Sequence, residues 1–68
     1  MQQIEVGEAG IRLGQLLKLA NLADSGGEAK SLLADGQVSV NGNVETRRGA
    51  QLRPGDVVQL RGESVTLR

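Results

Sequence analysis

Residues 24–30 read Asp24-Ser25-Gly26-Gly27-Glu28-Ala29-Lys30 (DSGGEAK). The fold turns on whether they form a phosphate-cradling loop or the seam between two helices. Ser25 followed three positions later by Glu28 is a capping box, S-x-x-E, in which two amides left unpaired at a helix start are taken reciprocally. Behind it Ala29, Leu32 and Leu33 make one apolar helical stripe, and Gly36 stands where a left-handed C-cap glycine is expected. The stretch therefore opens a helix. It lacks the length and the G-K-[ST] ending of a P-loop. Its glycines still matter, because amides at a helix start point outward and glycine lets a phosphate approach them closely.

The pattern extends in both directions from this seam. Upstream, Leu13, Leu16, Leu17 and Ala20 fall at i, i+3, i+4 and i+7, predicting a first helix from Ile11 to about Asn21 or Leu22. Arg12, Gln15 and Lys18 step round its wetter side. Gln3-Ile4-Glu5-Val6 alternates as a short strand, and Gly7-Glu8-Ala9-Gly10 breaks it. Downstream of Gly36 the period becomes two. Val38 and Val40 share a face, Asn41-Gly42 supplies a hairpin turn, and residues 43–46 return. Arg47-Arg48-Gly49-Ala50 is an irregular basic loop leading to Gln51-Leu52. Pro54-Gly55 suits a type II turn, and residues 57–60 and 64–67 read as closing strands. The order predicts one α+β domain over residues 1–68, two packed helices beside a small antiparallel sheet.

A chain of 68 residues buries only about 60% of its unfolded surface. Its core must come from ten Leu, seven Val, two Ile and a few Ala, because it contains no Phe, Tyr or Trp. With no Cys and no His, a disulfide is impossible and a transition-metal site is not expected. Catalysis is not expected either, since a general base near neutral pH would need a strongly shifted carboxylate or lysine, and no serine lies in a G-x-S-x-G context. No cofactor is called for. No apolar run approaches a membrane span, and the first residues lack a basic signal-peptide start, so a cytoplasmic monomer is expected.

The eight basic and eight acidic residues cancel, leaving no global field to attract nucleic acid. Between residues 11 and 53, however, Arg12, Lys18, Lys30, Arg47, Arg48 and Arg53 outnumber Asp24, Glu28, Asp35 and Glu45. Arginine's fork suits phosphate oxygens, and Lys30 lies about a turn and a half into the second helix, within reach of a phosphate at its start. From the residues alone, capping and phosphate binding at Ser25–Lys30 both stay open.

Taken together, these pieces resemble the RNA-binding domain named after ribosomal protein S4, whose fold carries the alpha-L motif. The resemblance covers residues 11–60 and rests on Arg12-Leu13, Leu16-Leu17, the serine-led helix at Ser25, Val38-Ser39-Val40-Asn41-Gly42 and Gly55-Asp56-Val57-Val58. Ser25-Gly26-Gly27-Glu28-Ala29-Lys30 and Val44-Glu45-Thr46-Arg47 are similar to the small stand-alone bacterial group typified by YbcJ, with strands at 3–6 and 64–67 closing the domain.

The resemblance implies ribosomal or other structured RNA as partner, held through backbone and shape contacts, with ribosomal proteins as further neighbours. It implies RNA contacts at Arg12, Lys18, Ser25, Gly26, Gly27, Lys30, Arg47 and Arg48. Two departures stand out: Gly26 where the family often has arginine, and Gly14 where it often has aspartate. Without aromatic residues, base stacking is excluded. Two rival readings share parts of the pattern. A sulfur carrier of the ubiquitin-like type also shows V-N-G and G-D-x-V, but it needs a C-terminal Gly-Gly, and this chain ends Val65-Thr66-Leu67-Arg68. A protein-interaction module on a ribosome or RNA-processing complex is the other.

Overall fold

The computed structural model describes residues 2–68; Met1, counted within the expected domain, lies outside them. In chain order the elements are β1 (Gln2–Ile4), β2 (Ile11–Arg12), α1 (Leu13–Leu19), α2 (Gly26–Ala34), β3 (Val38–Val40), β4 (Asn43–Val44), β5 (Gln51–Leu52), β6 (Val57–Leu60) and β7 (Glu63–Leu67). Among the described residues no helix is long and apolar enough to cross a membrane.

The first helix starts at Leu13, where its apolar stripe begins, and not at the expected Ile11. Ile11 and Arg12 pair antiparallel with Leu52 and Gln51, so a short ladder takes the backbone groups that an earlier helical turn would have used. Arg12 keeps extended geometry as the N-cap, at φ −81° and ψ 148°. At the other end α1 stops at Leu19, and Asn21 turns left-handed at φ 62°. The Leu22 amide donates to Leu17 O (2.8 Å) and the Asn21 amide to Lys18 O (3.1 Å), the two bonds of a Schellman motif. The residues expected to end the helix instead wrap its last carbonyls.

The seam at residues 24–30 opens α2. Ser25 Oγ accepts the Glu28 amide at 3.2 Å, the forward half of the capping box. Glu28 reaches back to the amide of Asp24 at 3.2 Å, one residue upstream of the one the motif specifies. Gly36, at φ 72°, closes α2 with a second Schellman pair, Gly36 N–H to Leu33 O (3.1 Å) and Gln37 N–H to Leu32 O (3.2 Å).

β3 and β4 meet through Asn41 and Gly42 at φ 52° and 86°, the doubly positive geometry of a type I′ hairpin turn. The main sheet runs β1-β7-β6-β3-β4, and β2-β5 forms a separate ribbon. The sheet is antiparallel except at one edge, where β1 lies parallel to β7 with Gln3 opposite Thr66. That edge is a correction to the expected all-antiparallel sheet. Adjacent strands in sequence turn back on each other, whereas β1 and β7 are joined through everything between them, and a long crossover allows parallel pairing. The first ladder covers Gln2–Ile4 rather than residues 3–6, and Val6 extends the contact by donating to Arg68 O at 2.9 Å.

One apolar cluster joins the layers: Leu13, Leu16 and Leu17 from α1, Ala20 and Ala23 from the connection that follows it, Ala29, Leu32 and Leu33 from α2, and Val38, Leu52, Val58, Leu60, Val65 and Leu67 from the strands. Each fully buried leucine contributes roughly 1.5–3 kcal/mol. A polar clip completes the frame. Asn41 Nδ2 donates to Asp56 Oδ1 (3.1 Å), Asn41 Oδ1 accepts the Val57 amide (2.9 Å), and Asp56 Oδ2 accepts the Arg53 amide (2.9 Å). The V-N-G and G-D-x-V stretches, separated by fifteen residues between Asn41 and Asp56, thus brace each other.

Candidate nucleic-acid interface

Each helix begins with amides that have no partner inside the helix, and α1 and α2 treat them differently. In α1 the basic loop supplies the acceptors: Leu13 N–H donates to Ala50 O and Gly14 N–H to Arg48 O, both at 2.9 Å. The Arg12 amide donates to Gln15 Oε1 at 3.3 Å. These bonds draw the 47–50 loop against the first turn of α1. In α2 the serine cap serves Glu28, and among the described residues no cap or loop group accepts the Gly26 and Gly27 amides. They carry the positive end of the helix dipole.

Between these two helix starts and the loop lies an open cleft of about 280 Å³, lined by Arg12, Gly14, Gln15, Lys18, Gly26, Arg48 and Gly49. Three of the lining residues are cationic and none is acidic. Arg12, Lys18 and Arg48 are all exposed. Among the described residues the one ion pair involves none of them. The arrangement offers three free cations and one open helix start to a polyanion, with no ring on which a base could stack.

Of the eight residues expected to contact RNA, the cleft brings together Arg12, Lys18, Gly26 and Arg48. Ser25, Gly27, Lys30 and Arg47 are not part of its lining. Ser25 is committed to the α2 cap. Arg47 turns to Glu45, its Nε to Oε2 and Nη2 to Oε1, both at 3.2 Å. The Glu45 carboxylate also accepts the amides of Thr46 and Arg47 at 3.0 Å. The side-chain bond with Arg47 is the main cause that lowers the Glu45 pKa, and the same bond raises that of Arg47. Adjacent in sequence, the two arginines have different electrostatic fates: Arg47 is neutralised and Arg48 is free.

Gly14, Gln15 and Gly49 were not among the expected site residues. Gln15 carried a readable signal, since a glutamine three residues after an N-cap matches the backward half of a capping box. Gly14 signalled only as a departure from an Arg-Leu-Asp pattern. Its reason is spatial: a Cβ there would collide with Cγ of Arg48 and lie 3.1 Å from its Cδ. Gly49 gave no signal beyond its place in a loop.

Comparison with known proteins places this geometry in context. The family model described as "S4 domain" matches residues 4–68. The chain is 50% identical over 52 residues to a Bacillus subtilis (strain 168) protein called "Probable ribosome maturation protein RlbA", covering 76% of this chain and 73% of that one. It is 44% identical over 55 residues to the Escherichia coli (strain K12) protein called "Putative RNA-binding protein YbcJ", covering 81% and 79%. The solution structure of E. coli YbcJ, reported as revealing an alpha-L motif involved in RNA-binding, superposes with a TM-score of 0.75 at 38% identity, over 98% of this chain and 86% of that one.

Proposed function

The chain belongs to the S4 domain family, and from that premise we infer that it is an RNA-binding protein that grips the sugar–phosphate backbone of structured, ribosomal RNA in the cleft between its two helix starts. The carrying observation is the lining of that cleft: Arg12, Lys18 and Arg48 converge with Gly26, and no acidic side chain intervenes. Arginine forks and a lysine ammonium match phosphate oxygens. With no aromatic residue in the chain, affinity rests on charge and shape rather than on stacked bases. The family membership and the RNA-binding description of YbcJ support the class of ligand. The ribosome-maturation name of the B. subtilis relative supports ribosomal RNA as the source.

Three phosphate contacts give a slope of log K against log salt of roughly −2.1 to −2.7, so affinity falls roughly 20- to 40-fold between 50 and 200 mM salt. Titration of a labelled, protein-free ribosomal RNA fragment tests this. Arg12→Ala, Lys18→Ala and Arg48→Ala each flatten the slope by about 0.7–0.9, while Arg47→Ala leaves it near wild type. Three variants with the wild-type slope would remove the cleft from the interface. The zero net charge favours a second reading, in which the domain docks on a ribosomal protein. Binding to ribosomal particles without any binding to the free RNA would select it.

A further inference from the structure

Glycine is a poor choice for the second position of a helix, because it loses more backbone freedom on folding than alanine does. Gly14 nonetheless occupies that position in α1 and is buried. What encloses it is Arg48: the aliphatic stem crosses the glycine at a distance no Cβ would tolerate, and the Arg48 carbonyl accepts the Gly14 amide at 2.9 Å. The carbonyl itself lies 3.3 Å from where a Cβ would stand. By contrast, Gly26 and Gly49, which line the same cleft, have nothing within 4 Å of where a Cβ would stand. Among the glycines of this cleft the constraint is therefore specific to Gly14, and it points at one residue, Arg48, whose stem makes the closest approach.

We propose that Gly14 is a positioning residue for RNA binding: its bare backbone is the seat across which the Arg48 stem lies, and this seat aims the Arg48 guanidinium into the cleft beside Arg12 and Lys18. The proposal rests on the cleft as the RNA site. A methyl at residue 14 lifts the stem off α1 and swings the guanidinium away from its two neighbouring cations. The bound RNA then loses one phosphate contact although all three cationic residues remain in the chain. Gly14 thereby governs the affinity without touching RNA itself.

A double-mutant cycle over Gly14→Ala and Arg48→Ala tests the coupling, reading both melting temperature and the salt slope for a ribosomal RNA fragment. Arg48→Ala alone weakens binding about tenfold and flattens the slope by about 0.7–0.9. Gly14→Ala alone does the same and lowers the melting temperature. In the Arg48→Ala background, where no stem remains and only the residue-48 carbonyl stands 3.3 Å from the new Cβ, Gly14→Ala leaves affinity and slope unchanged and lowers the melting temperature by less than it does in the wild-type background. A merely structural glycine would not move the salt slope. If Arg48→Ala flattens the slope and a folded Gly14→Ala keeps the wild-type slope, the positioning role is wrong while the cleft stands. If Arg48→Ala has no effect on RNA, the cleft falls and takes this role with it. Should Gly14→Ala fail to fold, the double variant decides: folding of the double supports the collision with the stem, and failure of both overturns it.

Discussion

Replacing Gly26 by glutamate separates the two roles that residues 24–30 combine. Gly26 is the first residue of α2, its backbone is not left-handed, and a Cβ there meets nothing within 4 Å. A side chain is therefore admitted without strain. Glutamate is a better helix former than glycine by up to about 1 kcal/mol, and a carboxylate at a helix start adds about 0.3–1 kcal/mol. Asp24 and Glu28 nearby repel it by a few tenths, so a net gain of about 0.5–1 kcal/mol is expected.

For a domain of this size that gain raises the melting temperature by roughly 2–8 °C. The effect on RNA has the opposite sign. A carboxylate about 8 Å from a bound phosphate, at an effective dielectric between about 20 and 80, repels it by roughly 0.5–2 kcal/mol, a loss of roughly 2- to 30-fold in affinity. Gly26→Ala separates size from charge, with a similar thermal gain and a small change in binding. Thermal unfolding and RNA titration at two salt concentrations measure both quantities. A Gly26→Glu protein that is folded, more stable and still binds RNA as wild type does would reduce the stretch to a helix cap.

Three further outcomes follow from particular contacts. Asn41→Ala or Asp56→Ala breaks the clip between the β3–β4 turn and β6 and lowers stability by about 1–3 kcal/mol in urea unfolding, with the double variant losing less than the sum. Ser25→Ala removes the hydroxyl that caps Glu28 and loses about 1 kcal/mol, while the salt slope for RNA stays at the wild-type value. A changed slope would return Ser25 to the interface. Glu45 titrates by NMR below its ordinary value of 4.5 because of its bond to Arg47, and Arg47→Ala moves the midpoint back toward that value. Since the folded carboxyl is the stronger acid, the stabilisation from this pair is present above pH 4.5 and is lost as pH falls through the lowered midpoint.

Local chemistry wrote much of the fold into the sequence. Leu13, Leu16 and Leu17 of α1, Ala20 at its C-cap and the Ala29-Leu32-Leu33 stripe are buried, because a period of 3.6 puts them on one side of a helix wherever that helix packs. The Ser25 cap, the left-handed Gly36 and the Asn41-Gly42 turn were legible for the same kind of reason: each is fixed by the conformations and hydrogen bonds that a few adjacent residues permit. Helix boundaries were less so. Ile11 was expected to begin α1 yet lies in a strand, because Leu52, far along the chain, pairs with it.

Four of the seven residues that line the candidate site were readable as isolated charges and a glycine, and none of it as an arrangement. Arg47 folds back on Glu45 two residues away, a local contact, whereas Arg48 lies across Gly14, which no local rule indicates. Nothing local explains Gly14, whose neighbour arrives from the far side of the hairpin. By itself the sequence determined the helical pair, the turns, the apolar faces and the resemblance to the S4 domain, because these depend on short-range periodicity and backbone preference. Only the tertiary structure decided the parallel closing of β1 on β7, the Asn41–Asp56 clip and the gathering of Arg12, Lys18, Gly26 and Arg48 around one cleft. These join residues distant along the chain, and burial of the shared core fixes such distances, which no local rule encodes.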